Sequence, residues 1–156
     1  MKFEREMDKT LHLSAPGREI VVAAHIEYQT QEEELTEDNA ASMTVTIEYE
    51  GKIITGYGTS YPWMDAFVSL QQQLPDNVSI KGCISCRHGN LCPVGNAPFE
   101  VFCTKDVSIR EARDLWNDTE APEEAAKRSR EYTQVCEHYE KQAREYYTYT
   151  DYTVGR

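Results

Sequence analysis

Met43-Thr-Val-Thr-Ile-Glu-Tyr-Glu-Gly-Lys-Ile-Ile-Thr-Gly-Tyr-Gly58 is the stretch whose reading decides the fold class. Met43, Val45, Ile47 and Tyr49 alternate with Thr44, Thr46 and Glu48, the two-residue period of a strand that turns one face to a core. Glu50-Gly51 supplies a tight turn, and Ile53, Thr55 and Tyr57 continue the alternation on the return, so the stretch reads as a β-hairpin. Directly after it the period changes. Thr59 and Ser60 can accept from the first helical N–H groups, and Pro62 suits a first turn. Trp63, Phe67, Leu70 and Leu74 then recur at helical spacing until Leu74-Pro75-Asp76-Asn77 stops the run.

Upstream, Phe3, Met7, Leu11 and Leu13 fall on odd positions between Glu4, Glu6, Asp8, Thr10 and His12, which predicts a strand. Pro16-Gly17 marks a turn, and Ile20, Val22, Ala24, Ile26 and Tyr28 then share one face of a second strand whose other face holds Val21, Ala23, His25 and Glu27. The acidic run from Gln31 to Asn39 has no usable period and lacks the alternating acidic order of a calcium loop, so it reads as a solvated connection. Residues 3–75 thus predict three or four antiparallel strands covered by a helix, an α+β layer arrangement.

Downstream, Val78 to Gly82 predicts one more strand, and Cys83 to Pro98, with Gly89, Pro93, Gly95 and Pro98, reads as a loop. Phe99, Val101 and Cys103 predict a short strand. Ser108 is expected to cap a helix over Ile109 to Trp116, and Pro122 to open another over Glu123 to Tyr132. Tyr146, Tyr147, Tyr149 and Tyr152 suggest a terminal strand or a docking tail. The whole is expected to be a single α+β domain over residues 1–156, an antiparallel sheet of about four to six strands packed against helices. Within it, residues 1–77 form a strand, hairpin and helix part, 78–140 a cysteine-rich part, and 141–156 a tyrosine-rich tail.

The 156 residues suffice for one buried core without cross-links. Lys plus Arg number 16 and Asp plus Glu 27, so the net charge is 16 − 27 = −11. Such a surface repels phosphate backbones and anionic membranes, which argues against nucleic acid and membrane partners and leaves a protein partner open. The charged N-terminus, Met-Lys-Phe-Glu-Arg-Glu-Met-Asp8, has no apolar segment of a secretory signal, and no apolar run approaches the ~20 residues of a membrane helix. A cytoplasmic protein is expected. Thiols there stay reduced, so a C-x-x-C pair points to metal or redox chemistry ahead of a disulfide framework.

Five cysteines follow the spacing C-x2-C-x5-C-x10-C-x32-C: Cys83, Cys86, Cys92, Cys103 and Cys136. A C-x-x-C turn presents two sulfurs to one ion and is the usual first half of a tetrahedral thiolate site. With His88 and His138 also available, more ligands exist than zinc needs. Cys83, Cys86, Cys103 and Cys136 are the favoured set, because Cys103 sits on the strand leaving the loop and Cys136 can tie the C-terminal segment back. Four thiolates close the coordination sphere and leave no place for water, so the expected site is structural. Cys92-Pro93 after the C-x-x-C has an iron–sulfur flavour, but the five-residue interval is not a familiar one for that cluster. A redox dithiol would sit where a helix opens, and here glycines follow. Buried inert thiols would suit a lone Cys136 better than a C-x-x-C beside Gly and Pro.

Gly82-Cys-Ile-Ser-Cys86, Pro93-Val-Gly-Asn96, Cys103, Asp114-Leu-Trp116 and Cys136 resemble a family of functionally uncharacterised bacterial proteins. The resemblance covers roughly the C-terminal half. It implies a shared site at Cys83, Cys86, Cys103 and Cys136, and it implies no reaction. Cys92 departs from the pattern, which marks it as a bystander.

Other constellations carry less. Gly56-x-Gly58 lacks the remaining glycines and the Lys-Ser/Thr of a phosphate loop. The strand–turn–strand–helix order resembles a double-stranded RNA-binding module, but Tyr61-Pro-Trp-Met-Asp65 stands where that module needs lysines. His12 and His25 read as strand-face residues without a carboxylate motif, and Glu111 with Asp114 as a solvated helix face. The expected function is a non-catalytic binding or regulatory module that captures a partner through a sheet edge or the acidic surface. The alternative is a metal- or thiol-dependent redox enzyme or an iron–sulfur protein.

Overall fold

The computed structural model describes residues 3–31, 40–59, 62–91 and 99–142. The chain falls into two compact units, Met1–Ile80 and Lys81–Arg156.

The first unit is an antiparallel sheet with a helix on one face. Strands β1 (Phe3–Ala15), β2 (Arg18–Thr30), β3 (Ala40–Tyr49) and β4 (Lys52–Gly58) follow one another, and β5 (Ser79–Lys81) adds on the far side of β1, giving the order β4-β3-β2-β1-β5. Pro16-Gly17 forms the first turn, so that Ala15 faces Arg18 and Leu11 faces Val22. The alternation holds, with Leu11, Leu13, Ala24, Ile26, Met43, Val45 and Ile47 all buried on one face. Residues 32–39, most of the acidic run, lie outside the described residues.

On β4 the buried parity differs from the expectation. Glu50-Gly51 is a two-residue turn with both residues at positive φ, and it pairs Tyr49 with Lys52, Ile47 with Ile54 and Val45 with Gly56. Cross-strand partners share a face, so Ile54, Gly56 and Gly58 point inward, while Ile53 and Tyr57 point out.

Helix α1 (Pro62–Gln73) lies over that inward face as its period predicts, with Trp63, Phe67 and Leu70 buried. It comes so close to β4 that a Cβ on Gly56 would stand 2.1 Å from the Ala66 carbonyl oxygen and 2.7 Å from the Leu70 nitrogen. The helix also serves both sheet edges. Ser69 Oγ accepts from the Tyr57 N–H (3.2 Å) and Gln73 Nε2 donates to the Thr55 carbonyl (2.6 Å) on β4. On the β5 side, Gln71 Oε1 accepts from the Ile80 N–H (2.7 Å), and its Nε2 donates to the Val78 carbonyl (3.0 Å). Side chains of one helix thereby occupy backbone groups at both ends of the sheet, where a sixth strand would otherwise pair.

The second unit holds a smaller antiparallel sheet, β6 (Gly89–Asn90), β7 (Glu100–Cys103) and β8 (Ser129–Glu131) in the order β6-β7-β8, with helices α2 (Ala112–Thr119) and α3 (Pro122–Arg128). Both helices differ from their predicted spans. α2 starts later than Ile109 because the Asp114 carboxylate, and not Ser108, takes up the Arg110 N–H (2.9 Å). It runs on past Trp116, with Thr119 Oγ1 donating to the Leu115 carbonyl (2.8 Å). α3 ends at Arg128 instead of Tyr132. Arg128 reaches Asp106 (2.5 Å) and the Cys103 carbonyl (3.2 Å), and Tyr132 is fully buried, stacked on Phe99 at 5.2 Å. Between these two anchors the chain extends and pairs with β7, Phe102 opposite Ser129 and Val101 opposite Arg130. Val101 and Phe102 are both buried, so β7 shows no simple alternation. Among the described residues no helix is long and apolar enough to cross a membrane.

Candidate metal centre

The Cys83-Ile-Ser-Cys86 stretch folds into a 3-10 turn, Cys83–Ser85. Ser85 N donates to the Gly82 carbonyl (3.0 Å) and Cys86 N to the Cys83 carbonyl (3.3 Å), which curls the two cysteines toward a common side. The chain then doubles back through Gly89, whose N–H donates to the Cys86 carbonyl (3.0 Å). A Cβ on Gly89 would lie 2.0 Å from the Cys83 carbonyl oxygen, so a side chain here would force the turn apart. The predicted loop therefore contains a two-residue strand, because Gly89 pairs with Cys103 and Asn90 with Phe102. That register brings Cys103 beside the thiol turn.

The segment after β8 wraps the same turn. Cys83 N donates to the Gln134 carbonyl and Ile84 N to the Tyr132 carbonyl, both at 2.9 Å; Arg87 N donates to the Glu140 carbonyl (2.7 Å) and Gln142 N to the Ser85 carbonyl (3.0 Å). Ser85 Oγ and the Tyr139 hydroxyl, 2.8 Å apart, and the Arg87–Glu140 ion pair at 2.8 Å reinforce the clasp. Between these two lines of hydrogen bonds the chain turns at residues 136–139, with Tyr139 N on the Cys136 carbonyl (3.2 Å). Cys136 sits at the head of that turn.

Cys83, Cys86, Cys103 and Cys136 all line one cavity of about 290 Å³, together with His88, Lys105, Arg130 and His138. All four are free thiols, with Cys86 buried, Cys83 and Cys103 half-buried and Cys136 exposed. Burial, followed by the proximity of Cys86, Cys136 and Cys103, pushes the Cys83 thiol up to about 12. Burial also raises Cys86, although backbone N–H groups of Glu140 and His88 directed at its sulfur favour the thiolate. Four thiolates in this space repel one another unless a cation joins them. The donor set therefore fits a soft metal: four sulfurs, amide donors on the buried one, and Arg130 and Lys105 to offset excess negative charge.

Fit in distance is looser. Among the described residues the one group of three potential ligands whose donor atoms all lie within 4.8 Å of one another is Glu6, His25 and Glu27; no three of the four sulfurs are so close. The four cysteines chosen from sequence thus share one cavity without being drawn to ion-binding distance. Cys92, Pro93 to Asn96 and the four C-terminal tyrosines lie outside the described residues. No family model, curated protein or solved structure matches this chain.

The first unit holds a cluster the sequence reading passed over. Asp8 is the cross-strand partner of His25, and Glu6 that of Glu27. His25 Nδ1 lies 2.8 Å from Asp8, and its Nε2 lies 3.5 Å from Glu6 and 3.4 Å from Glu27. The histidine does have carboxylate company, supplied by register: counting back from the Pro16-Gly17 turn would have found it. The hydrogen bond with Asp8 raises the His25 pKa above 6.5. A raised folded value favours the folded state below the unfolded pKa, and that contribution disappears as pH rises through the folded one. In an NMR titration His25 is expected to titrate above 6.5 and to fall in Asp8→Asn; a midpoint at or below 6.5 in the parent would contradict the geometry.

Proposed function

We propose that the second unit is held together by a structural zinc ion on Cys83, Cys86, Cys103 and Cys136, and that the protein is a cytoplasmic, non-catalytic binding module. The observation that carries this is the convergence of four thiols from the 3-10 turn, from β7 and from the 136–139 turn on one cavity with basic side chains beside it. Zinc would supply a cross-link between these three segments and no open position for chemistry. Its binding free energy would be in part folding free energy. The motif resemblance supports the same ligand set, and we place the chain with those uncharacterised bacterial proteins as a proposal.

One observation favours a second reading. Tetrahedral zinc holds its sulfurs about 3.8 Å apart, from a Zn–S distance of about 2.3 Å, whereas no three of these four sulfurs lie within 4.8 Å of one another. A [4Fe–4S] cluster spreads its cysteines wider, because each binds a different iron. Metal analysis and absorption spectra of protein purified without oxygen separate the two. The zinc reading expects one equivalent of zinc and no visible absorbance; iron and sulfide with a broad visible band would replace it, and neither metal would remove both.

A further inference from the structure

The pleat of β1 to β4 separates carboxylates from Lys and Arg by strand parity. Every carboxylate on these strands, Glu4, Glu6, Asp8, Glu19, Glu27 and Glu48, has the parity of the face turned away from α1. Every Lys and Arg, namely Arg5, Lys9, Arg18 and Lys52, has the opposite parity. The acidic face also exposes large apolar side chains, Val21 at 59%, Ile53 at 69% and Tyr57 at 57%.

The register draws part of this face into one row, Glu6–Glu27–Thr44–Tyr57 across β1 to β4, beside the row Glu4–Gln29–Ser42. These rows share a cleft of about 730 Å³. Carboxylates directly opposite one another, as Glu6 and Glu27 are, repel. His25 answers Glu6, Asp8 and Glu27 with at most one positive charge for three negative ones. In the same cleft Glu4 adds one negative charge and Arg5 one positive, so the carboxylates still outnumber the cations, and Tyr57 closes the row with an aromatic ring.

We propose that this face is the docking surface for a Lys/Arg-rich segment of a partner protein, with a basic side chain seated between the Glu6–Glu27 pair and the ring of Tyr57. Carboxylates complement the charge, the ring accepts a guanidinium or ammonium face, and Ile53 offers apolar contact on the same surface. The partner lies on the face and does not extend the sheet, because Ser69, Gln71 and Gln73 already occupy backbone groups at both edges. This surface rests on the reading of the protein as a binding module.

A fluorescein-labelled nona-arginine peptide, titrated against the full-length protein in 100 mM salt and followed by anisotropy, tests the surface. Glu6→Lys with Glu27→Lys is expected to weaken binding at least tenfold. Glu120→Lys with Glu123→Lys, an equal change in net charge on the second unit, is expected to weaken it less than threefold, and Tyr57→Ala threefold or more. Circular dichroism checks folding, and Glu6→Gln with Glu27→Gln replaces the lysine pair if that pair unfolds. Equal losses from the two lysine pairs would reduce the effect to net charge and overturn the site, as would absent binding by the parent protein. Metal content is measured on the same samples, so failure of the zinc reading and failure of this surface show up separately.

Discussion

If zinc is held as proposed, Cys86→Ser is expected to release it and to lower the melting temperature of the second unit by roughly 10–20 °C. Cys86 is the buried member of the four thiols, and its sulfur faces the N–H groups of Glu140 and His88. Loss of one of four ligands weakens metal binding by at least ~100-fold, the upper end for changes in the ligands' supporting shell, or about 2.7 kcal/mol. In a small domain each kcal/mol moves the midpoint by about 4–8 °C. Cys83→Ser, Cys103→Ser and Cys136→Ser should behave alike, and a chelator should reproduce the shift in the parent protein. Cys92→Ser should leave both metal and midpoint unchanged. If Cys86 were an ordinary buried thiol, the parent would carry no metal and Cys86→Ala would cost only about 1 kcal/mol. Metal loss confined to Cys92→Ser would overturn the ligand assignment.

Gly56→Ala is expected to destabilise the first unit by about 3 kcal/mol or more, and Gly56→Val to prevent it from folding. Overpacking against movable side chains costs roughly 1–3 kcal/mol. Here the added carbon would meet helix backbone, the Ala66 oxygen at 2.1 Å and the Leu70 nitrogen at 2.7 Å, so α1 as a whole must withdraw. Its withdrawal would loosen the burial of Trp63, Phe67 and Leu70 and the hydrogen bonds from Ser69 and Gln73 to β4. Urea unfolding followed by Trp63 fluorescence in a Trp116→Phe background isolates this unit. Ile53→Ala, on the outer face, should change stability by less than about 0.5 kcal/mol. A Gly56→Ala variant as stable as its parent would mean that helix and sheet are farther apart than described.

Most of the first unit was legible because its signals are local. The odd positions of β1, the even positions of β2 and the Trp63–Phe67–Leu70 spacing each state a period that burial follows. The inward face of β4 escaped because alternation alone does not say which parity is buried; the Glu50-Gly51 turn does, by pairing Ile47 with Ile54. In the second unit, helix propensity at Ser129 to Tyr132 lost to the buried stacking of Tyr132 on Phe99 and to pairing with β7, contacts between residues far apart in the chain.

By itself, then, the sequence determined the α+β class, the first unit's strands and helix, and which four cysteines deserve attention, because hydrophobic period and short spacing are properties of neighbouring residues. Tertiary structure alone decided that α1 lends side chains to both sheet edges and that the pleat gathers the carboxylates of β1 to β4 on one face. It alone decided, too, that the turn carrying Cys136 is clasped beside Cys83 and Cys86. Those outcomes depend on register and on hydrogen bonds between distant segments, which no local pattern encodes.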